Sequence, residues 1–210
     1  MRKLILSMQV SLDGYVEGLN GDMSWMQPDD DEAWENLFQE MVNNVDLCLL
    51  GAGMWPEYRN YWKKALAKPA DFSQHEVAYA KFAEKTPHIV FSKTIKDAGW
   101  ENATINSGDV AAEAKKLKEK PGKDVYIVGG AKFATTLLDS GLVDEYRIHI
   151  NPAVVGGGKS FFHDVSKNHK LELVNVTQLS SKVVILTYKQ LSTGDNKEPQ
   201  KRRAHNNPAK

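Results

Sequence analysis

The sequence predicts an α/β domain: a mixed, mostly parallel sheet of about eight strands, covered by helices on both faces and finished by an antiparallel hairpin. Three observations carry this. Short apolar runs alternate with helical periodicities along most of the chain, the pattern of successive β-α-β units. Several of those runs, such as Leu4-Ile5-Leu6 and Leu47-Cys48-Leu49-Leu50, are continuously apolar, as in strands buried on both faces. Two β-branched runs, Leu171 to Val176 and Val183 to Tyr188, are separated by Leu179-Ser180-Ser181-Lys182 and read as a closing hairpin.

At 210 residues the chain suits one domain with a full core. Lys plus Arg equals Asp plus Glu at 27 each, so no global field argues for nucleic acid. The single Cys48 excludes an internal disulfide and a cysteine-built zinc site, and no metal is expected. The run from Leu4 to Leu6 is too short for a signal peptide or a membrane span, so a cytoplasmic protein without a membrane partner is expected.

The first strand spans residues 3 to 10. Ser11-Leu12-Asp13-Gly14 then turns, and a glycine-rich loop follows through Gly18, Asn20 and Gly21. From Pro28 the acids Asp29 to Glu32 precede Trp34, Leu37, Phe38 and Met41 at helical spacing, a helix start with acid in its first turn. Val45 to Leu50 forms the second strand and ends at Gly51-Ala52-Gly53-Met54-Trp55-Pro56, followed by a helical turn through Glu57, Tyr58 and Tyr61. Residues 72 to 84 form a helix, and Pro87 precedes the strand from His88, which ends at Ser92-Lys93-Thr94. Ala103 to Ile105 is a short strand. Ser107 or Asp109 caps a helix from Val110 that stops at Pro121-Gly122. Val125 to Val128 is the next strand; it meets Gly129-Gly130, after which Phe133, Leu137 and Leu138 keep helical spacing up to Ser140-Gly141. The domain covers residues 1 to 190. Residues 191 to 210 hold Lys197, Lys201, Arg202, Arg203 and Lys210 with few aliphatic side chains, and read as a disordered basic tail.

In such sheets ligands collect where strand carboxyl ends meet helix amino ends. Three segments occupy that position: Gly51 to Trp55, Ser92 to Thr94, and Gly129 to Phe133. Glycines followed by uncapped helical amides suit an anion such as a pyrophosphate. A lysine with two hydroxyls suits a phosphate. Alone, the Gly129 to Phe133 segment also reads as a tight turn that binds nothing, and Ser92 to Thr94 reads first as a solvated loop; the agreement of the three favours a ligand.

The ordered set of Ser11-Leu12-Asp13-Gly14, Leu50 to Trp55, Phe91 to Thr94, Ile127 to Ala131, Asp144-Glu145 and Asn151 to Phe162 resembles the dihydrofolate reductase-like superfamily, and within it the riboflavin-biosynthesis reductase domain. The resemblance implies the three-layer α/β/α dihydrofolate reductase-like fold. It implies NADPH, with Gly51, Ala52, Gly53, Met54, Trp55, Gly129, Gly130, Ala131, Lys132 and Phe133 around the phosphates. Ser92, Lys93 and Thr94 then fall at the adenosine 2′-phosphate. A cis peptide is expected at Gly129-Gly130, and Asp13 either binds substrate or caps its turn. The spacing Trp25-Met26-Gln27-Pro28-Asp29-Asp30 resembles the stretch carrying the proton-donating carboxylate of dihydrofolate reductases. It implies Asp30 as the catalytic acid, with Asp31 one register away and Trp25 beside the substrate. The riboflavin branch does not consistently depend on that acid.

The activity implied is NADPH-dependent hydride transfer to a C=N or imine-like bond of a small heteroaromatic substrate, a pterin or an aminopyrimidine. No deaminase zinc signature is present, so at most the reductase half of a two-step riboflavin enzyme is expected. The alternatives are a dihydrofolate reductase, disfavoured by the Gly-Gly helix and the Val154 to Phe162 turn, and a catalytically silent nucleotide-binding or scaffold protein. Members of this branch often pair, and the hairpin edge is where a homodimer would form.

Overall fold

The computed structural model describes residues 1–27 and 32–191. In chain order its elements are β1 (Leu4–Ser11), β2 (Tyr15–Glu17), α1 (Glu32–Asn44), β3 (Val45–Gly51), α2 (Trp55–Ala67), α3 (Gln74–Lys85), β4 (His88–Phe91), β5 (Ala103–Asn106), α4 (Val110–Glu119), β6 (Asp124–Gly129), α5 (Ala131–Asp139), β7 (Glu145–Asn151), β8 (Lys159–Ser160), β9 (Leu171–Gln178) and β10 (Val184–Gln190).

Eight strands form one sheet in the order β5-β4-β3-β6-β1-β7-β10-β9. From β5 to β7 every neighbour is parallel, and β10 runs antiparallel between β7 and β9. Side-chain alternation divides the core into two layers. On one face Leu4, Leu6, Leu49 and Ile127 pack under Ala114 and Leu117 of α4 and Phe133, Ala134 and Leu137 of α5. On the other, Cys48, Leu50 and Val90 pack under Phe38 and Met41 of α1, Trp55 and Tyr58 of α2, and Phe82 of α3. This is the three-layer arrangement expected, with β1 central and β9 as an open edge.

Local chemistry explains most boundaries. Ser73 caps α3 through a capping box with Glu76, which moves the start of the expected helix from residue 72 to Gln74. Of the two candidate caps for α4, Asp109 is the one used, accepting from the Ala112 amide at 2.8 Å.

Three expectations are corrected. The turn expected at Glu57 to Tyr61 is a thirteen-residue helix, α2, started by Pro56 and buried through Trp55, Tyr58 and Ala65. Tyr61, Trp62, Lys63 and Lys64 blur its apolar stripe in the sequence. A second, two-stranded antiparallel sheet, β2 with β8, was not expected; its strands have three and two residues, too short for alternation to register. No cis peptide occurs among the described residues, so Gly129-Gly130 is trans, and the turn is made by positive φ at both glycines, +150° and +88°. The acids Asp29 to Asp31 and the basic tail from Ser192 lie outside the described residues.

Candidate active site

Sheet order brings the three suspect strand ends side by side, because β4, β3 and β6 are consecutive neighbours. The Ala52 amide donates to the Phe91 carbonyl at 3.0 Å, joining the β3 and β4 ends. At the β3–β6 junction the backbones touch: a Cβ on Gly130 would lie 3.6 Å from the Gly51 Cα, and one on Gly51 would lie 2.7 Å from the Phe133 Cβ. A Cβ on Gly129 would lie 2.8 Å from the Met54 Sδ. Glycine is therefore required at Gly51 for close approach, and at Gly129 and Gly130 for their positive φ.

Helix α5 begins immediately after Gly130 with no side-chain cap, and α2 begins after Met54, also uncapped. The first-turn amides of α5 are thus left for an external acceptor, as are those of Trp55 and Glu57 in α2, where Pro56 supplies no N–H and the Glu57 carboxylate shares the turn. Ala131 is half-buried and Lys132 exposed on the first turn of α5, while Gly53 is exposed with open space around it. At the β4 end the buried Ser92 accepts at Oγ from the amides of Thr94 and Ile95, at 3.2 and 2.9 Å. That turn leaves Lys93 and Thr94 exposed beside the junction. Together these groups can bind a polyanion: glycine-freed backbone and two uncapped helix starts at the centre, a cation and a hydroxyl at the flank.

Two residues of this set are placed differently from a simple ligand contact. Trp55 is 1 % exposed and its Nε1 donates to the Ala98 carbonyl, so its ring is a core anchor of α2. Phe133 is likewise buried and stacks on Phe91 at 5.2 Å, filling the space that Gly51 leaves. Both side chains hold the junction together from behind.

The ends of β1 and β7 form the neighbouring part of the same carboxyl edge. Asp13 accepts from the Ser11 hydroxyl at 2.7 Å and from the amides of Val155 and Gly156 at 3.1 and 2.8 Å. These donors hold its carboxyl well down, at about 2. Asp13 thus caps the loop after β7 as well as its own turn, tying the two together. The Phe161 amide donates to the Gly14 carbonyl, and β2 pairs with β8. Gly158 permits this, since a Cβ there would fall 2.1 Å from the Glu17 carbonyl oxygen.

Beneath Gln27 lies a polar strip on the sheet. Asn151 is fully buried; its Oδ1 accepts from the Gln27 amide and its Nδ2 donates to the Gln9 Oε1, both at 2.8 Å. His149 Nε2 lies 3.2 Å from the Ser7 Oγ, and its buried Nδ1 has no protein partner. Burial, followed by the neighbouring Arg147, pushes the His149 ring down to about 4, so it is neutral at pH 7. Sequence reasoning missed Ser7, Gln9, His149 and Asn151. Their signal was period-two polarity within strands otherwise apolar. Trp25 is half-buried and its Nε1 donates to the Asp22 carbonyl at 3.0 Å. Asp30 and Asp31 lie outside the described residues, between Gln27 and the first residue of α1.

Comparison with known proteins agrees with this architecture. The family model of the RibD C-terminal domain matches residues 2–185. The uncharacterized protein YyaP of Bacillus subtilis (strain 168) is 35% identical over 187 residues, 89% of this chain and 94% of the relative. A crystal structure from Shewanella sp. PV-4 superposes with a TM-score of 0.67 at 21% identity, covering 90% of this chain and 99% of that one. The diaminohydroxyphosphoribosylaminopyrimidine deaminase/5-amino-6-(5-phosphoribosylamino)uracil reductase of Thermotoga maritima superposes with a TM-score of 0.62 at 21% identity, covering 90% of this chain and 57% of that one. With its sequence matched from residue 2 to residue 185 and its three layers in the expected order, the chain belongs to the RibD C-terminal domain family, a reductase-type family on the dihydrofolate reductase-like fold.

Proposed function

We propose that the protein is an NADPH-dependent reductase acting on a C=N or imine-like bond of a small pterin or aminopyrimidine-type compound. One observation carries the reading: the glycine junction of Gly51 with Gly130, flanked by two uncapped helix starts, sits one strand from the Lys93-Thr94 turn. A dinucleotide with an extra phosphate needs that pairing of a pyrophosphate cradle and a cationic flank. When bound, NADPH would supply the hydride.

The chain's own residues supply the rest. The amides after Gly130 and after Met54 bind phosphate oxygens, and Lys93 and Thr94 hold the 2′-phosphate. In the polar strip Asn151 is engaged by Gln27 and Gln9 and fixes the strand ends, while His149, whose Nδ1 has no protein partner, is the group assigned to a heteroaromatic ring, with Trp25 as a neighbouring wall. Asp30, three residues after the anchored Gln27, is assigned the proton transfer, with Asp31 as its alternative. A carboxyl that shares an apolar cleft with a neutral ring holds its proton to higher pH, which suits it to donate near neutrality. Asp13 ties the loop after β1 to the loop after β7 and so fixes this end. The protein is proposed to work as a homodimer paired at the open edge of β9, where Leu173, Val174 and Val176 are exposed. Sedimentation of the full chain tests this, and a purely monomeric species at micromolar concentration contradicts it.

Quenching of tryptophan fluorescence by NADPH tests the cofactor assignment. Saturable quenching is expected, weakened by about tenfold in Lys93→Ala, the loss of one charge-assisted contact, and abolished in Gly130→Asp. No quenching at millimolar NADPH would contradict the reading. Asp30→Asn is expected to lower turnover by about a hundredfold or more with cofactor binding intact; unchanged turnover rejects that residue's role.

A further inference from the structure

The chain is neutral overall, but its charge is not spread evenly. From Leu4 to Gln27 there is no Lys or Arg, and the same stretch holds Asp13, Glu17 and Asp22. This stretch supplies β1, the loop that crosses the β1 end and β2. Asp13 and Asp22 are exposed on that loop, and Glu17 is half-buried. Of the cations on the loops at this end, Lys159 has its Nζ 3.7 Å from Glu17, and Lys182 lies on the β9–β10 turn. The cofactor end has the opposite character, with Lys93 and Lys132 exposed beside the glycine junction.

The acidic end is also apolar at its rim. Leu12, Leu19, Met23 and Val154 are 65%, 70%, 50% and 72% exposed. They belong to one assembly: the Leu12 amide donates to the Ala153 carbonyl at 2.8 Å, and a Cβ on Gly157 would lie 3.6 Å from the Leu19 side chain. Singly exposed apolar residues mean little, but a cluster of four on tied loops at a candidate ligand entrance is a recognition feature. A phosphate on the substituent would be held most strongly by cations, whereas the β1 loop carries Asp13, Glu17 and Asp22 and no lysine or arginine.

We infer that the substrate end of this protein selects a ring compound with an uncharged, apolar substituent and rejects phosphorylated side chains, in contrast to the phosphoribosyl compound in the name of the Thermotoga relative. The inference rests on the proposed reductase reading and narrows its substrate class. The like-charge end makes discrimination electrostatic, so it weakens with salt, whereas the apolar contact does not.

The test is calorimetric binding to the full chain of two probes, a dimethylpterin and the phosphate ester of hydroxymethylpterin, at low and high salt, with NADPH titrated separately. The expected result is that the alkyl compound binds at least about tenfold tighter at low salt. Raising the salt should narrow the gap, and so should Glu17→Gln, which frees Lys159. Equal or tighter binding of the phosphate ester overturns the inference, as does a gap indifferent to salt and to Glu17→Gln. If NADPH binds and neither pterin does, the substrate class is wrong while the cofactor reading stands; if NADPH does not bind, the reductase reading fails on its own.

Discussion

Folding changes the protonation of two histidines, His88 and His149. Burial is the leading cause for both, and each ring is pushed down to about 4. His88 is held between Trp55 and Trp100, with Tyr58 Oη 3.1 Å from its Nε2. A folded ring that binds its proton less readily than the unfolded one is a source of stability at neutral pH that fades as pH falls through the unfolded value near 6.5 toward 4. Each ring should therefore remove about 2 kcal/mol of stability between about pH 6.5 and pH 5. Denaturant melts at those two pH values check this, and His88→Gln should remove one share of the slope; an unchanged slope in this variant and in His149→Gln contradicts it. At the glycine junction, Gly51→Ala forces a Cβ into Phe133 and should cost about 1–3 kcal/mol, whereas Gly53→Ala enters open space and should change stability by less than about 0.5 kcal/mol. Thermal melts of the two variants separate a packing requirement from a general intolerance of the loop.

Among the elements, the small β2–β8 sheet shows how a site wall is assembled from segments that share no sequence pattern. Its strands are separated by more than a hundred residues and held by Asp13, by the Gly14 carbonyl and by the absence of a side chain at Gly158. Asp13→Ala should leave the main sheet intact but speed amide exchange and proteolysis across residues 152–160; equal protection would show that the ribbon stands without it. Because the Asp13 carboxyl ionises at about 2, the cap is present above the usual carboxylate range and is lost only as pH falls through about 2. Legibility follows the same physics. The large elements were readable because burial on a sheet or under a helix imposes a period on ten or so residues, as in β1, α4 and α5. The ribbon, the length of α2 and the pairing of Asn151 with Gln9 depend on partners distant in sequence, which a linear pattern does not record. The placement of Gly51, Lys93 and Gly130 at neighbouring strand ends was legible because each follows an apolar run that stops there. Ser7, Gln9 and His149 were not, because two or three polar residues inside an apolar strand look like tolerated exceptions.

For the whole molecule, the sheet order is what brings separate turns together at one candidate site. Placing β3 between β4 and β6 aligns the cationic turn with the glycine junction, and placing β1 next to β6 sets the acidic loops alongside. Lys93 and Lys132 thus lie exposed beside the glycine junction, and Asp13, Glu17 and Asp22 lie on the loop and short strand after β1, within a chain of zero net charge. No described helix is long and apolar enough to cross a membrane. The central claim is hydride transfer at this edge. It is tested most directly by incubating the full chain with NADPH deuterated at the nicotinamide C4 position and a panel of oxidised pterins and aminopyrimidines, then following the label by mass spectrometry. The account predicts deuterium in the reduced product of at least one compound without a phosphate, lost in Gly130→Asp; NADPH that stays unconsumed with every compound, and fails to bind, would contradict it.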